Sequence, residues 1–347
     1  MPLVSICIPT YNGASYLETC LDSALAQTFP DFEVLIVDDQ STDNSFQIAQ
    51  DYSARDPRIK VVQNRQNLGL VRNWNQCVLL ARGEWIKYLF QDDLLEPNCI
   101  EKMLAVCGQD TSIVACKRNI IFEDDSEDLN ETFIQYIKRY DMDKILPGEM
   151  VIPSEKICAA VLNNLGGNFI GEPTAILIRR NVFERFGFFN FNLISLCDFE
   201  YWIRVSTNTG LIYIPEILVH FRRHRKGATF VDEQSRHFRM YIDKLVCLHE
   251  FLFHPLYAQL RFYASQCQPP INLNQLFAGK VEDSWKIARQ AAKNHSNPDL
   301  SLLDQMSKIT ALFPACRIVK KIPGSVRFGK YRWKLQNFIS NRLNIKK

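Results

Sequence analysis

The sequence predicts an α/β fold, a mainly parallel sheet flanked by helices, with a helical appendage toward the C-terminal end. Three observations carry this. Short apolar runs at residues 4–8, 32–37, 59–62 and 85–90 alternate with helical patterns, a β-α-β-α-β-α-β order that buries parallel strands between crossover helices. Right-handed crossovers then bring the strand ends, with Tyr11, Asp39, Asp92 and Asp93, to one edge of the sheet. Beyond about residue 230 the pattern becomes helix alone, with Phe238, Ile242, Leu245 and Leu252 at helical spacing.

The element that organises the chain runs from Gly83 to Pro97. Trp85, Ile86, Tyr88, Leu89 and Phe90 read as a buried strand that meets two adjacent carboxylates, Asp92 and Asp93, before Pro97 opens a helix. Neighbouring side chains on a strand point to opposite faces, so both aspartates reach one site only where the strand has ended. Open α/β sheets place their ligand crevice at such ends. Two like charges this close call for a hard divalent cation. They also suit a solvated turn with a helix N-cap.

The remaining elements follow in order. A helix carries Leu17, Leu21, Ala24 and Leu25 on one face, and the strand at 32–37 stops at Asp38-Asp39-Gln40-Ser41. Helices are expected at 70–81, 97–107, 157–165 and 181–186, and strands at 113–116, 211–214 and 217–221. Residues 123–131 hold six acids and read as a solvated loop. Gly166-Gly167-Asn168 breaks a helix, and Asp198 falls in the first turn of another with Phe199, Trp202 and Val205 as its apolar stripe.

With 347 residues and 47% hydrophobic content the chain can bury a full core, and two units are expected, 1–230 and 231–347. Eleven scattered cysteines without a CxxC pair fit a reduced, cytoplasmic protein. No secretory signal or membrane-spanning run is expected. Residues 314–347 contain ten Lys and Arg and no acid, leaving 31 bases and 38 acids elsewhere, a net charge of −7. A basic tail on an acidic body suits an anionic surface, lipid headgroups before nucleic acid, and would hold the protein on the inner face of a membrane. Residues 327–345 fit an interfacial amphipathic helix; a solvated or packed terminal helix fits the same pattern.

No GxGxxG or GxxxxGK[ST] follows the first strand, which removes the dinucleotide and P-loop classes. The strand ends instead in Pro9-Thr10-Tyr11-Asn12. Tyr11 could stack on a nucleobase and Asp39 could accept the imide N–H of uracil; a rim aromatic and an N-cap are the plainer roles. A divalent ion at Asp92-Asp93 suits a diphosphate, and Asp198 then supplies a general base, or else a helix-start carboxylate.

These residues resemble an inverting family 2 glycosyltransferase with the GT-A fold. The resemblance covers about residues 1–230 and rests on six motifs in order. They are Val-Ser-Ile-Cys-Ile-Pro-Thr-Tyr-Asn (4–12), Ser-Ala-Leu-Ala-Gln-Thr (23–28), Val-Asp-Asp-Gln-Ser-Thr-Asp (37–43), Asn-Leu-Gly-Leu-Val-Arg-Asn (67–73), Gln-Asp-Asp (91–93) and Cys-Asp-Phe-Glu-Tyr-Trp-Ile-Arg (197–204). It implies a nucleotide-sugar donor, a UDP-sugar on the strength of Asp39, and a glycan or lipid-linked acceptor in polysaccharide, O-antigen or glycolipid synthesis. It implies Tyr11 and Asp39 as uracil contacts with Pro9 and Thr10 lining the same pocket, and Arg72 near the nucleotide. Asp92 becomes the ribose or sugar contact, Asp93 the ligand of Mg²⁺ or Mn²⁺, and Asp198 the base. Glu172 opens the acceptor side and His224 closes over the diphosphate. Phe90 stands where many relatives carry another Asp, which leaves the sugar undefined. A sugar-nucleotide pyrophosphorylase would want a basic, Gly-rich first loop that this chain lacks. The alternative of another class is a catalytically inactive GT-A scaffold at a membrane glycan assembly.

Overall fold

The computed structural model describes residues 1–123, 127–165, 167–227 and 239–279, together with 282, 283 and 286. The first half alternates as expected: β1 (Val4–Thr10), α1 (Leu17–Leu25), β2 (Phe32–Asp38), α2 (Ser45–Arg55), β3 (Ile59–Gln63), α3 (Leu70–Leu80) and β4 (Trp85–Tyr88). Then come β5 (Leu94–Leu95), α4 (Cys99–Ala105), β6 (Ile113–Phe122), α5 (Glu127–Arg139), α6 (Met142–Ile145), β7 (Val151–Ile152) and α7 (Ser154–Asn163). A 3₁₀ turn (Pro173–Ala175) leads into β8 (Ile176–Arg179), α8 (Asn181–Phe186), α9 (Cys197–Thr209) and β9 (Leu211–Arg223). Helices Arg239–Phe253 and Ala258–Gln266 follow.

These strands form one sheet in the order β3-β2-β1-β4-β8-β6-β9-β5, with β7 also on β9. The pairs β2–β3, β1–β2, β1–β4 and β6–β9 are parallel, and β8 is antiparallel to both β4 and β6. Alternation along each strand divides the core between two faces. Val4, Ile6, Ile8, Val34, Ile36, Trp85 and Leu89 pack with α1, α2 and α4. Cys7, Leu35, Val37, Ile86 and Tyr88 pack with α3, α7 and α9. Strands buried on both faces explain why β1 and β2 are nearly unbroken apolar runs.

Four elements differ from expectation. The Trp85 strand ends at Tyr88, so residues 89–93 form the turn that carries both aspartates. β6 runs on to Phe122, and the two strands expected at 211–214 and 217–221 are one strand, β9. β9 survives the interruption because its register on β6 shifts between Cys116 and Lys117, skipping Pro215, which has no N–H for the ladder. The acidic run is helical from Glu127, as the first turn of α5.

After α9 the chain stays on the same core. Leu245, Cys247, Leu248, Phe251, Tyr257 and Leu260 are buried in the cluster that holds α7 and α9. The expected boundary near 230, the tail 314–347 and its amphipathic stretch lie outside the described residues. Among the described residues no helix is long and apolar enough to cross a membrane.

The N-terminal ends of the strands are tied by Glu33, whose buried carboxylate accepts from Ser5 Oγ at 2.7 Å, Arg82 N at 2.9 Å and Arg82 Nε at 2.9 Å. Glu33→Ala is expected to lower stability by about 1–3 kcal/mol, because it leaves those donors unpaired. Urea melts read the loss. Ligand binding at the other end of the strands is expected to be unaltered.

Candidate active site

Four loops meet at the C-terminal ends of β1 to β4. Asp39 anchors them. Its buried carboxylate accepts from Asn64 Nδ2 at 2.7 Å, Leu68 N at 2.8 Å and Gly69 N at 2.8 Å. Gly69 opens α3 at φ +82°, a conformation that suits glycine and lets its N–H face Asp39. Asn64 continues to Asn73 at 2.9 Å, and Asn73 reaches Val37 O at 3.0 Å. The β1 loop is held from two sides. Tyr11 N donates to Gln91 Oε1 at 2.9 Å while Gln91 Nε2 returns to Tyr11 O at 3.0 Å, and Asn12 Oδ1 accepts from Thr42 N at 2.7 Å.

Within this frame Tyr11 is 48% exposed, open to a planar ligand. Pro9 and Thr10 are buried in β1, where Thr10 Oγ1 bonds back to Ile8 O at 3.3 Å. Arg72 is exposed on α3, with its guanidinium 3.7 Å from the centre of the Phe191 ring. Sequence reasoning had no signal for Phe191, which approaches from a loop far along the chain.

The two adjacent carboxylates face different surroundings. Asp93 is fully buried; Oδ1 accepts from Arg222 N at 2.9 Å and Oδ2 accepts from Thr174 Oγ1. Burial, with the Asp92 charge second, pushes its carboxyl well above the usual range. Asp92 is the carboxylate left with open surface, its side chain 20% exposed, and Oδ2 lies 2.9 Å from His224 Nε2. The resemblance implies Asp92 as the ribose or sugar contact and Asp93 as the metal ligand; the structure leaves Asp92 some open surface beside a buried His224 and bonds Asp93 at both oxygens within the protein.

A second layer supports His224. Its ring lies 4.5 Å from that of Tyr16, whose hydroxyl donates to Glu123 Oε2 at 2.6 Å. Burial and the Glu123 carboxylate push the Tyr16 hydroxyl up to about 12. Arg222 pairs with Glu123 and donates from Nε to Asp92 O at 2.9 Å. Glu123 therefore belongs to the site and not to a solvated loop.

The 3₁₀ turn links this corner to Asp198. Thr174 bonds Asp93 on one side, and Glu172, just before the turn, pairs with Arg118 and faces Asp198. Asp198 is partly buried at the start of α9, accepting from Phe199 N at 2.6 Å and Asn168 Nδ2 at 3.0 Å. Burial pushes its carboxyl up to about 7; the Glu172 charge adds to the rise, while the bonds from Phe199 and Asn168 oppose it. Asn168 also accepts from Ile170 N and Gly171 N, both at 3.1 Å, and so builds the loop that carries Glu172. The sequence marked Asn168 only as a helix breaker.

Residues 5–186 match the family model described as Glycosyl transferase family 2. This chain belongs to glycosyl transferase family 2. Residues of this glycosyltransferase are 43% identical over 116 positions to the chondroitin synthase of Escherichia coli, a match that takes 33% of this chain and 17% of the synthase. The fold is similar to S. aureus TarS 1-349 in complex with UDP-GlcNAc, with a TM-score of 0.58 and 16% identity over 98% of this chain and 88% of that one. It is also similar to the mannosyltransferase PcManGT from Pyrobaculum calidifontis in complex with GDP-Man and Mn²⁺, with a TM-score of 0.53 and 16% identity over 99% and 88% of the two chains. The sheet is thus the GT-A sheet. The family match ends at 186, before α9 and Asp198.

The raised Asp198 carboxyl has a consequence for stability. Between the usual carboxylate range and pH 7 the folded state holds a proton that the unfolded state has released, so stability falls as pH rises through this window. Asp198→Asn removes the titration. The variant is expected to melt higher than the parent at pH 8, with the gap closing toward pH 4, as scanning calorimetry at the two pH values would record.

Proposed function

We propose that this chain transfers a sugar from a UDP-sugar to an acceptor hydroxyl with inversion, in the synthesis of a surface polysaccharide, O-antigen or glycolipid. The observation that supports it most is the Asp198 carboxylate, held by Asn168 at the start of α9 beside the turn whose Thr174 bonds Asp93; burial pushes its carboxyl up to about 7. A general base is most effective when its pKa lies near the working pH. The names of the similar proteins point the same way, since they include a chondroitin synthase and a structure holding UDP-GlcNAc.

In this reading Tyr11 stacks on the base, and Asp39, with three donors already around it, keeps an acceptor position for the uracil N–H. Pro9 and Thr10 form the floor under Tyr11, and Arg72 lies on the nucleotide side. Asp92 and His224 fit a divalent cation as one carboxylate oxygen and one imidazole nitrogen; this mixed pair suits Mn²⁺ better than Mg²⁺. Among the described residues no group of three or more His, Cys, Asp or Glu gathers to hold a metal; Asp92 and His224 would hold a cation together with the donor phosphates. When bound, the cation neutralises charge on the departing diphosphate. Asp93 supports this corner from behind through Thr174 and Arg222.

The reaction is one displacement. Asp198 takes the proton of the acceptor hydroxyl, the oxygen forms its bond to the anomeric carbon, and the bond from that carbon to the diphosphate breaks on the opposite face. UDP leaves with the electron pair. Glu172 lines the acceptor side and keeps Asp198 basic through its charge. The basic tail would hold the enzyme on an anionic cytoplasmic membrane surface, where a lipid-linked acceptor is presented.

The test is UDP release from a panel of UDP-sugars across pH, with Mn²⁺. Turnover is expected to rise with pH to a plateau above about 7, since Asp198 must be ionised. Asp198→Ala is expected to lose about 10²–10⁴-fold in kcat while still binding UDP. A folded parent that binds UDP yet turns over no nucleotide-sugar would leave the scaffold alternative standing.

A further inference from the structure

We infer that Asp243, on the helix Arg239–Phe253 beyond the family match, is a positioning residue for the general base Asp198. The inference rests on the proposed function for the role of Asp198 and on geometry for the rest. Asp243 is fully buried, and one oxygen, Oδ2, accepts from three consecutive peptide N–H groups: Ile194 at 2.8 Å, Ser195 at 2.7 Å and Leu196 at 3.1 Å. Leu196 is the N-cap of α9 and offers no side-chain cap of its own. Three successive N–H groups make a concave donor site that wants an anion, and an apolar cap cannot satisfy it. A carboxylate from another helix fills that place, two residues before Asp198.

The same C-terminal segment holds α9 further along. Tyr257 donates its hydroxyl to Glu200 O at 3.0 Å and to Glu200 Oε1 at 2.5 Å, and Leu256 O accepts from Asn208 Nδ2 at 2.8 Å. These contacts secure the body of α9; Asp243 secures the end that bears the base. Loss of that anchor lets the 194–196 peptides turn to solvent and lets more water reach the partly buried Asp198 carboxyl. The groups facing Asp198 are Glu172 before the 3₁₀ turn, Asn168 from its loop, Tyr136 from α5, with Arg118 from β6 paired to Glu172, and Cys197 and the Phe199 N–H on α9 itself. Asp243→Asn leaves these groups in place but also removes a negative charge that Cys197 feels, so the charge-keeping Asp243→Glu separates the two effects: a midpoint that falls in both variants reports placement, and one that falls in Asp243→Asn alone reports charge and overturns the inference.

The experiment labels aspartate carboxyls with ¹³C, assigns Asp198 through Asp198→Asn, and follows its titration in the full chain and in Asp243→Asn. The midpoint is expected near the parent value of about 7 and to fall by about one unit or more in the variant as the carboxyl hydrates. In parallel, kcat is expected to fall by about 100-fold with UDP affinity unchanged, because Asp39 and its loops are untouched. Asp243→Glu keeps the charge one methylene out of place and is expected to fall between the two; it decides the matter if Asp243→Asn does not fold. An unchanged midpoint and unchanged kcat in a folded variant that only melts lower would overturn the inference. A shifted midpoint in a protein that transfers no sugar would uphold the placement and sink the glycosyltransfer reading instead.

Discussion

Asp93 is the residue on which the geometry of the site depends. A fully buried carboxylate is costly unless it is hydrogen-bonded, and this one is bonded at both oxygens, to Thr174 and to the Arg222 peptide. Those two bonds join the turn after β4 to the 3₁₀ turn before β8 and to the end of β9. The consequence for its neighbour follows from chain geometry. With Asp93 drawn inward, Asp92 is turned outward onto His224, and Arg222 reaches the Asp92 carbonyl. The pair Asp92–His224 is therefore produced by the way Asp93 is satisfied, and the burial that raises the Asp93 carboxyl keeps it out of solvent.

The 3₁₀ turn extends this constraint across the site. Thr174 is fixed by Asp93, so Glu172, two residues earlier, is fixed beside Asp198. Two environments then set two carboxylates apart. Asp39 is buried among three donors and serves as an anchor, whereas Asp198 has two donors, a negative neighbour and little water, and is left basic. α9 delivers that carboxyl, and its own N-terminus is completed from outside by Asp243. The described C-terminal helices thus pack into the same apolar cluster as α7 and α9.

Much of this could be read from the chain itself, and the reason is local. The alternation of apolar runs and helical patterns marked β1 to β4 within a residue or two, most plainly β1 and β2, which are buried along their whole length. Asp39, Asp92, Asp93 and Asp198 stood out as carboxylates at element ends, and His224 through the family resemblance alone. What could not be read was which oxygen faces which partner. Thr174, Arg222 and Glu123 come to the Asp92-Asp93 corner from distant segments, and no spacing joins them. Asn168 and Asp243 act on backbone N–H groups, which carry no side-chain pattern. β9 was split in the reading by Pro215, whereas the sheet absorbs the proline as a register shift.

We propose that Asp92, with His224, faces the donor phosphates while Asp93 serves the fold. Calorimetric titration of UDP with and without Mn²⁺ measures it directly in the parent, Asp92→Asn and Asp93→Asn. Mn²⁺ is expected to strengthen UDP binding in the parent, Asp92→Asn to lose this dependence, and Asp93→Asn to retain it. A folded Asp93→Asn that loses the Mn²⁺ dependence, beside an Asp92→Asn that keeps it, would contradict the account.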